Sequence, residues 1–309
     1  MISAKTEPEK VHQIYEVEKF FLLSRSVQGV RPRTIDFYRY HLDRLRLWLF
    51  NREVKNIENV TALNLTEYLA EAMFRFDGKP RNAGGQSIIY RPIKTFWTWV
   101  SVEYEIDNPM ARIQQNAPHS NPLPGVALVD VSAMRKSCEE RTFYGARDRA
   151  ILSVLIDTGL RRDEFLALNI SDLDLDIGRI HVADGKGGYA RDVYIHSLAT
   201  SDIMRYLRKH TSLANDAPLW ISKNGKRLLP AGLRAVMIRR AHGAKLKRVP
   251  GIHDFRRAFC VACLRNGMPI VELRRITGHK STAVLERYLA LTDIDIQKAH
   301  AKYSPADRL

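Results

Sequence analysis

His253 and Arg256 stand three residues apart in the run His253-Asp254-Phe255-Arg256-Arg257. On a helix that spacing puts both side chains on one face, where their planar N–H groups can converge on a single anion. Further on, Gly278 lets the backbone turn sharply just before His279, a third donor. Nine residues past His279 stands Tyr288, whose phenolic oxygen, once deprotonated, can attack such an anion as a nucleophile. Taken singly, each residue has a plain structural explanation: a surface pair, a turn, a core tyrosine. Together they make part of a site that could cut a phosphate ester.

Two upstream cations supply what that site lacks. In Thr158-Gly159-Leu160-Arg161 a glycine precedes an arginine at the start of a helix. In Gly185-Lys186-Gly187-Gly188 a lysine sits at the tip of an expected β-hairpin. The ordered set Arg161, Lys186, His253, Arg256, His279, Tyr288 resembles the active site of the tyrosine recombinases, the phage integrase family. Order, HxxR spacing, the Gly-His dipeptide and the step to the tyrosine all match, and the resemblance runs from about residue 11 to the end.

That resemblance implies a chemistry. Arg161 and Arg256 would clamp the non-bridging oxygens of a phosphodiester, where attack builds negative charge, and His279 and His253 would add hydrogen bonds. Tyr288 would expel a 5′-hydroxyl and leave a 3′-phosphotyrosine, which conserves bond energy so that religation needs no ATP. A free tyrosine has a pKa of about 10, so a base is needed, and His253 is the candidate. Lys186 is the candidate acid for the leaving oxygen. No metal or other cofactor is implied, because the two arginines do the electrostatic work of a cation. The resemblance also implies double-stranded DNA with a specific target site as the partner. It further implies a homotetramer on two such sites, with the tail, residues 293–309, docking on a neighbouring subunit. Two departures stand out. Arg257 replaces the His or Lys often found after the second arginine, and Ser281-Thr-Ala-Val-Leu-Glu-Arg replaces a Thr-rich lead-in to the nucleophile. Two other functions fit the same residues: a type IB topoisomerase, and a non-catalytic DNA-binding protein that retains the site.

Elements to position these residues can be read from periodicity. Four helices are expected first: residues 11–29, one opening at Arg31-Pro-Arg-Thr34 with Thr34 as N-cap, Thr61 to about Phe74, and Ser87–Glu103 after a break at Gly84-Gly85. They form a small bundle, residues 1–115, resembling the family's N-terminal core-binding domain. Asn116 to Gly125, with three prolines, reads as a linker that would let two domains close around a duplex. Residues 126–309 form the catalytic domain. In it, Ser132 caps a short helix, Arg147–Asp157 is a buried helix, and strands 179–183 and 191–195 flank the Gly-rich turn. Helices follow over 200–210 and 231–242, and Glu164 is placed either to orient Arg161 or simply to serve as a first-turn acid. The fold class is mainly α with a small antiparallel sheet (α+β).

Composition agrees with this partner. The 309 residues carry a formal net charge of +15 and a pI near 9.8, which favours a polyanion. Between Lys226 and Arg257 ten Lys/Arg face a single acid, Asp254, and such a field suits a phosphate backbone with salt-dependent binding. Met1–Lys10 has no apolar segment of the secretory kind, no run is long enough to span a membrane, and no stretch reads as an extra arm-binding domain. Three cysteines are too few for a disulfide framework, and Cys260-Val-Ala-Cys263 lies in an apolar helix, where core packing explains it. A cytoplasmic, reducing location is expected.

Overall fold

The computed structural model describes residues 12–115, 125–183, 190–210, 212–279 and 281–289, with His300 and Ser304 as single positions. The chain divides into two compact units, Met1–His119 and Ser120–Leu309. Both are built mainly from helices, and the sheet is a small antiparallel one in the second unit.

In the first unit α1 (Ile14–Val27), α2 (Pro32–Phe50), α3 (Ala62–Ala72) and α4 (Ala83–Glu103) bury Phe21, Leu49, Leu65, Ile93 and Trp97 in one core. Two expected boundaries move. Thr34 is not the N-cap of α2; Arg31 holds that position, three residues earlier, because Pro32, with its fixed φ and missing N–H, fits the first helical position. Gly84-Gly85 does not break the chain but lies in the first turn of α4, where Asn82 caps the Gly85 N–H at 2.8 Å. Thr61 does cap α3, exchanging hydrogen bonds with Asn64.

The second unit runs α5 (Leu128–Lys136), α6 (Phe143–Thr158), α7 (Arg162–Ala167), β1 (Leu173–Asp174), β2 (Arg179–Val182) and β3 (Arg191–Tyr194). It continues through α8 (Ser197–Leu207), α9 (Pro230–Gly243), α10 (Ile252–Arg265), α11 (Ile270–Thr277) and α12 (Ala283–Leu289). Helix α6 is its spine, with Ala150, Ile151, Leu152 and Val154 fully buried beneath α5, α8 and α10. It is longer than expected because Thr142 caps it at Gly145. Ser132 lies inside α5 and caps nothing; Ala127 holds that position. The expected hairpin is present, with Ile180 opposite Val193, and β1 adds a third strand in the order β1-β2-β3. Its tip, with Lys186, lies outside the described residues, as do most of the linker and the tail.

Two buried carboxylates tie the helices together. Asp148, fully buried, accepts from Arg147, Arg239 and Arg240 and so pins α6 to α9. Asp202 accepts from Arg135, Arg149 and Ser153, pinning α8 to α5 and α6. Removing either acid would strand buried guanidinium charge, at a cost of about 3–5 kcal/mol. These bonds qualify the basic run from Lys226 to Arg257. Arg239 and Arg240 serve Asp148, and Arg227 caps the carbonyls of Leu166, Ala167 and Leu168 at the end of α7. Part of that charge therefore works inside the fold.

Among the described residues, no helix is long and apolar enough to cross a membrane. Cys260 and Leu264 pack with Phe259, Leu273 and Leu285 to join α10, α11 and α12. Burial pushes the thiols of Cys260 and Cys263 up to about 12 and about 11, as inert core thiols require.

Candidate active site

The end of α11 organises the site. The last carbonyls of a helix have no partner within it and carry the negative end of its dipole. Here three consecutive ones each receive a different arginine. Arg191 Nε donates to Ile276 O at 2.8 Å, Arg256 Nη2 to Thr277 O at 2.7 Å, and Arg161 Nη2 to Gly278 O at 2.7 Å. Residues far apart in sequence thus bring three guanidiniums within one helical turn. Gly278 makes the turn possible with a φ of +65°, and a Cβ there would also press on Arg191, whose Cζ would lie 3.1 Å away. A second glycine turn faces it. Gly159, in the left-handed region at the end of α6, leads the chain to Arg161, and its carbonyl accepts from Arg256 Nη1 at 2.7 Å.

One carboxylate offsets part of this charge. Glu164, in the first turn of α7, accepts from Arg161 Nη1 at 2.7 Å and from the Arg161 backbone N–H at 3.0 Å. It also takes a forked pair from Arg191, at 2.8 and 3.2 Å. Both readings of Glu164 therefore hold at once, since it orients Arg161 and caps α7. Burial alone would raise its pKa, but the hydrogen bonds from Arg191 and Arg161 outweigh that and hold it at about 2. Three arginines against one carboxylate leave the site strongly positive. Burial, with Arg161 adding repulsion, draws the Arg256 pKa down to about 10, so it stays charged at neutral pH.

Proton arithmetic assigns the state of His279. The Thr277 hydroxyl donates its one proton to Leu273 O at 2.6 Å, so toward Nδ1 of His279, 2.7 Å away, it can only accept. Nδ1 then carries the proton, and Arg256 Nη2 lies over the ring, 3.0 Å from Nε2 and 3.4 Å from Nδ1. Burial, followed by the charges of Arg256, Arg161 and Arg191, pushes its pKa down to about 3, consistent with a neutral ring. The uncharged ring of His279 thus packs against the Arg256 guanidinium.

His253 lies in the first turn of α10, one turn before Arg256. Burial and the neighbouring arginines lower its pKa, so near neutrality it is an unprotonated base. Tyr288 lies on α12, half-buried against the apolar cluster that joins α12 to α10. Burial raises its pKa, while the nearby charges of Arg257 and Arg256 pull it down. The departure at Arg257 therefore sets a positive charge beside Tyr288. Among the described residues, no three His, Cys, Asp or Glu side chains group as a metal site would require.

The family model for the phage integrase family matches residues 129–294. The chain belongs to the phage integrase family, the tyrosine recombinases. It is a site-specific recombinase, an enzyme that breaks and rejoins DNA strands. It is 26% identical over 287 residues to Tyrosine recombinase XerC 2 of Ralstonia nicotianae, covering 91% of this chain and 83% of that one. It is 24% identical over 296 residues to Tyrosine recombinase XerC of Pelobacter propionicus, covering 95% and 96%. The fold is that of the XerH site-specific recombinase bound to palindromic difH substrate, with a TM-score of 0.71 at 19% identity over 95% of this chain and 85% of that one.

Of the six residues singled out in the sequence, Arg161, Arg256 and His279 converge at the end of α11, with His253 and Tyr288 on the two helices that pack beside it. Lys186 lies outside the described residues. Arg191 was missed. As the first residue of β3, three residues past Gly188, it has the pattern of a solvated strand-end cation, and nothing local signals that it reaches α11 and Glu164.

Proposed function

We propose that this recombinase cuts double-stranded DNA at a specific site through a 3′-phosphotyrosine on Tyr288. The observation that carries this reading is the set of three guanidiniums on consecutive carbonyls of α11. Each Arg161 and Arg256 guanidinium spends part of its fork on the protein, which fixes the plane of the remainder for a phosphate. A site already ordered before substrate arrives needs no reorganisation as charge develops on the non-bridging oxygens. Arg161 and Arg256 stabilise that charge and His279 steadies Arg256. His253 takes the proton from Tyr288, and Lys186 protonates the leaving 5′ oxygen. The packing of Leu285 and Tyr288 on α10 supports attack by Tyr288 in its own subunit's site. The first unit is a core-binding domain, the assembly a homotetramer on two DNA sites joined through residues 293–309, and the location cytoplasmic.

The test is covalent trapping on nicked duplexes that lose the departing 5′ end. Tyr288→Phe removes only the attacking oxygen, so it should bind DNA as the parent does and form no covalent complex. A covalent adduct in the phenylalanine variant would move the nucleophile to another hydroxyl.

A further inference from the structure

Between α3 and α4 the chain makes a turn for which the cleavage chemistry has no use. Phe74 bridges to Pro80, the Arg75 N–H donates to Lys79 O at 2.8 Å, and the Arg81 N–H donates to Met73 O at 2.7 Å. Arg81 Nε also caps Ala72 O at 3.0 Å, and Gly78 closes the tip with a φ of +74°. A turn held at both edges in this way is a rigid projection. At its tip stands Phe76 with a relative exposure of 110%, more open than in an extended peptide. A fully solvated phenylalanine on an ordered tip buries nothing in this unit.

Its surroundings indicate what it meets. Arg75, Lys79 and Arg81 flank it against one acid, Asp77. Behind it lies an open cleft of about 620 Å³, lined by Tyr40, Arg44, Trp48, Phe74 and Arg81 among others. Beside it α4 opens with Ala83-Gly84-Gly85, where the missing side chains leave the positive end of a 21-residue helix approachable. Exposed rings interleaved with guanidiniums next to such a helix end suit a sugar–phosphate chain with bases between. The two acids here are already engaged, Asp77 with Arg75 and Glu71 with Trp48 and Arg52, so the charge left facing a partner is positive and suits a polyanion.

We propose that the Arg75–Arg81 turn is a DNA-contacting finger: Phe76 enters a groove of duplex DNA against sugars and base edges, while its flanking cations hold the adjacent phosphates. This rests on the recombinase reading. An apolar wedge between positive anchors is a recurrent means of gripping or opening a groove, and here it would add affinity far from the cleaved bond.

The experiment places a reporter at the tip. Phe76→Trp puts an indole where no packing is disturbed, and the full chain is titrated with short mixed-sequence duplexes. Read as the difference from the parent, whose four tryptophans give the background, the new indole should be quenched and shielded from acrylamide on binding. Phe76→Ala should weaken binding about tenfold without altering its salt dependence. Lys79→Ala should lower the salt slope by about one. If the parent binds duplex while the indole stays open to acrylamide, the finger is refuted and the recombinase reading stands. Shielding that grows with protein concentration in the absence of DNA would also refute it, and would make the tip a contact between copies. Failure of the parent itself to bind duplex in gel shift would refute the recombinase reading, and the finger with it.

Discussion

Arg191 spends its guanidinium on Glu164 and the Ile276 carbonyl, and its removal should disable the site in a way that pH reveals. Glu164 has a pKa of about 2 in the folded chain against an ordinary 4.5, and Arg191 is the strongest of the attractions that lower it. At about 1.4 kcal/mol per unit, the depressed carboxylate contributes on the order of 3 kcal/mol at neutral pH. Both partners are well shielded, with side-chain exposures of 12% and 4%, so solvent screening removes little of this. Arg191→Ala strands half of Glu164's acceptor sites and the Ile276 carbonyl, and should cost about 3 kcal/mol, in the range for one partner of a buried pair. A depressed carboxylate pKa stabilises the fold above the unfolded value, and that contribution is lost as pH falls through the folded value. The gap between parent and variant should therefore be full at about pH 7 and shrink steadily from about pH 5 to about pH 2. Urea unfolding followed by near-ultraviolet circular dichroism reads it, because Trp220 stacks between Phe165 and Tyr206 at 4.7 and 5.7 Å in the same core. Single-turnover cleavage should fall about tenfold to a hundredfold, less than loss of an oxyanion donor outright, since Arg161 is loosened and not removed. Arg191→Lys keeps the charge without the fork and should recover stability more fully than rate. A gap that does not vary with pH, or a normal cleavage rate in a destabilised variant, would refute the role assigned to Arg191.

Three further outcomes follow from the same geometry. Lys186→Ala should slow cleavage of ordinary DNA by about 10²–10⁴-fold, the usual worth of general acid catalysis. Sulfur in place of the bridging 5′ oxygen should restore it, because a thiolate leaves unprotonated, while Arg161→Ala gains no such rescue; if sulfur fails, the lysine is only a DNA contact. The His253 pKa is lowered by burial and by Arg256, so cleavage by the parent should hold level as pH falls to about 6.5 and decline only below it. In His253→Ala the slower reaction should climb with pH as solvent takes the proton, and a flat profile would assign the base elsewhere. Deleting residues 293–309 should weaken assembly of the tetramer on DNA more than binding to a single site, and equal losses in gel shift would mean the tail only supports the fold.

What could be read from the sequence followed the range of the forces involved. HxxR on one helix face, glycine before a turned histidine, and apolar stripes for α1 to α4 are local patterns, and each led to the correct element. The misplaced boundaries were also local, but there two signals competed. Thr34 is a good cap, yet Pro32 upstream suits the helix start better. Gly84-Gly85 looks like a break, yet it falls in the first helical turn, where the Asn82 side chain caps the Gly85 N–H. The brace behind the arginines left no pattern, because Arg191 meets Glu164 and Ile276 across 27 and 85 residues. For the same reason the basic run before Arg257 looked like one surface, although Arg239 and Arg240 are committed to Asp148 about 90 residues away. A guanidinium has the same appearance in sequence whether it faces solvent, a buried carboxylate or a phosphate. Its partner is decided only when the chain closes, and at the end of α11 that closure leaves Arg161 and Arg256 with part of each fork still to place.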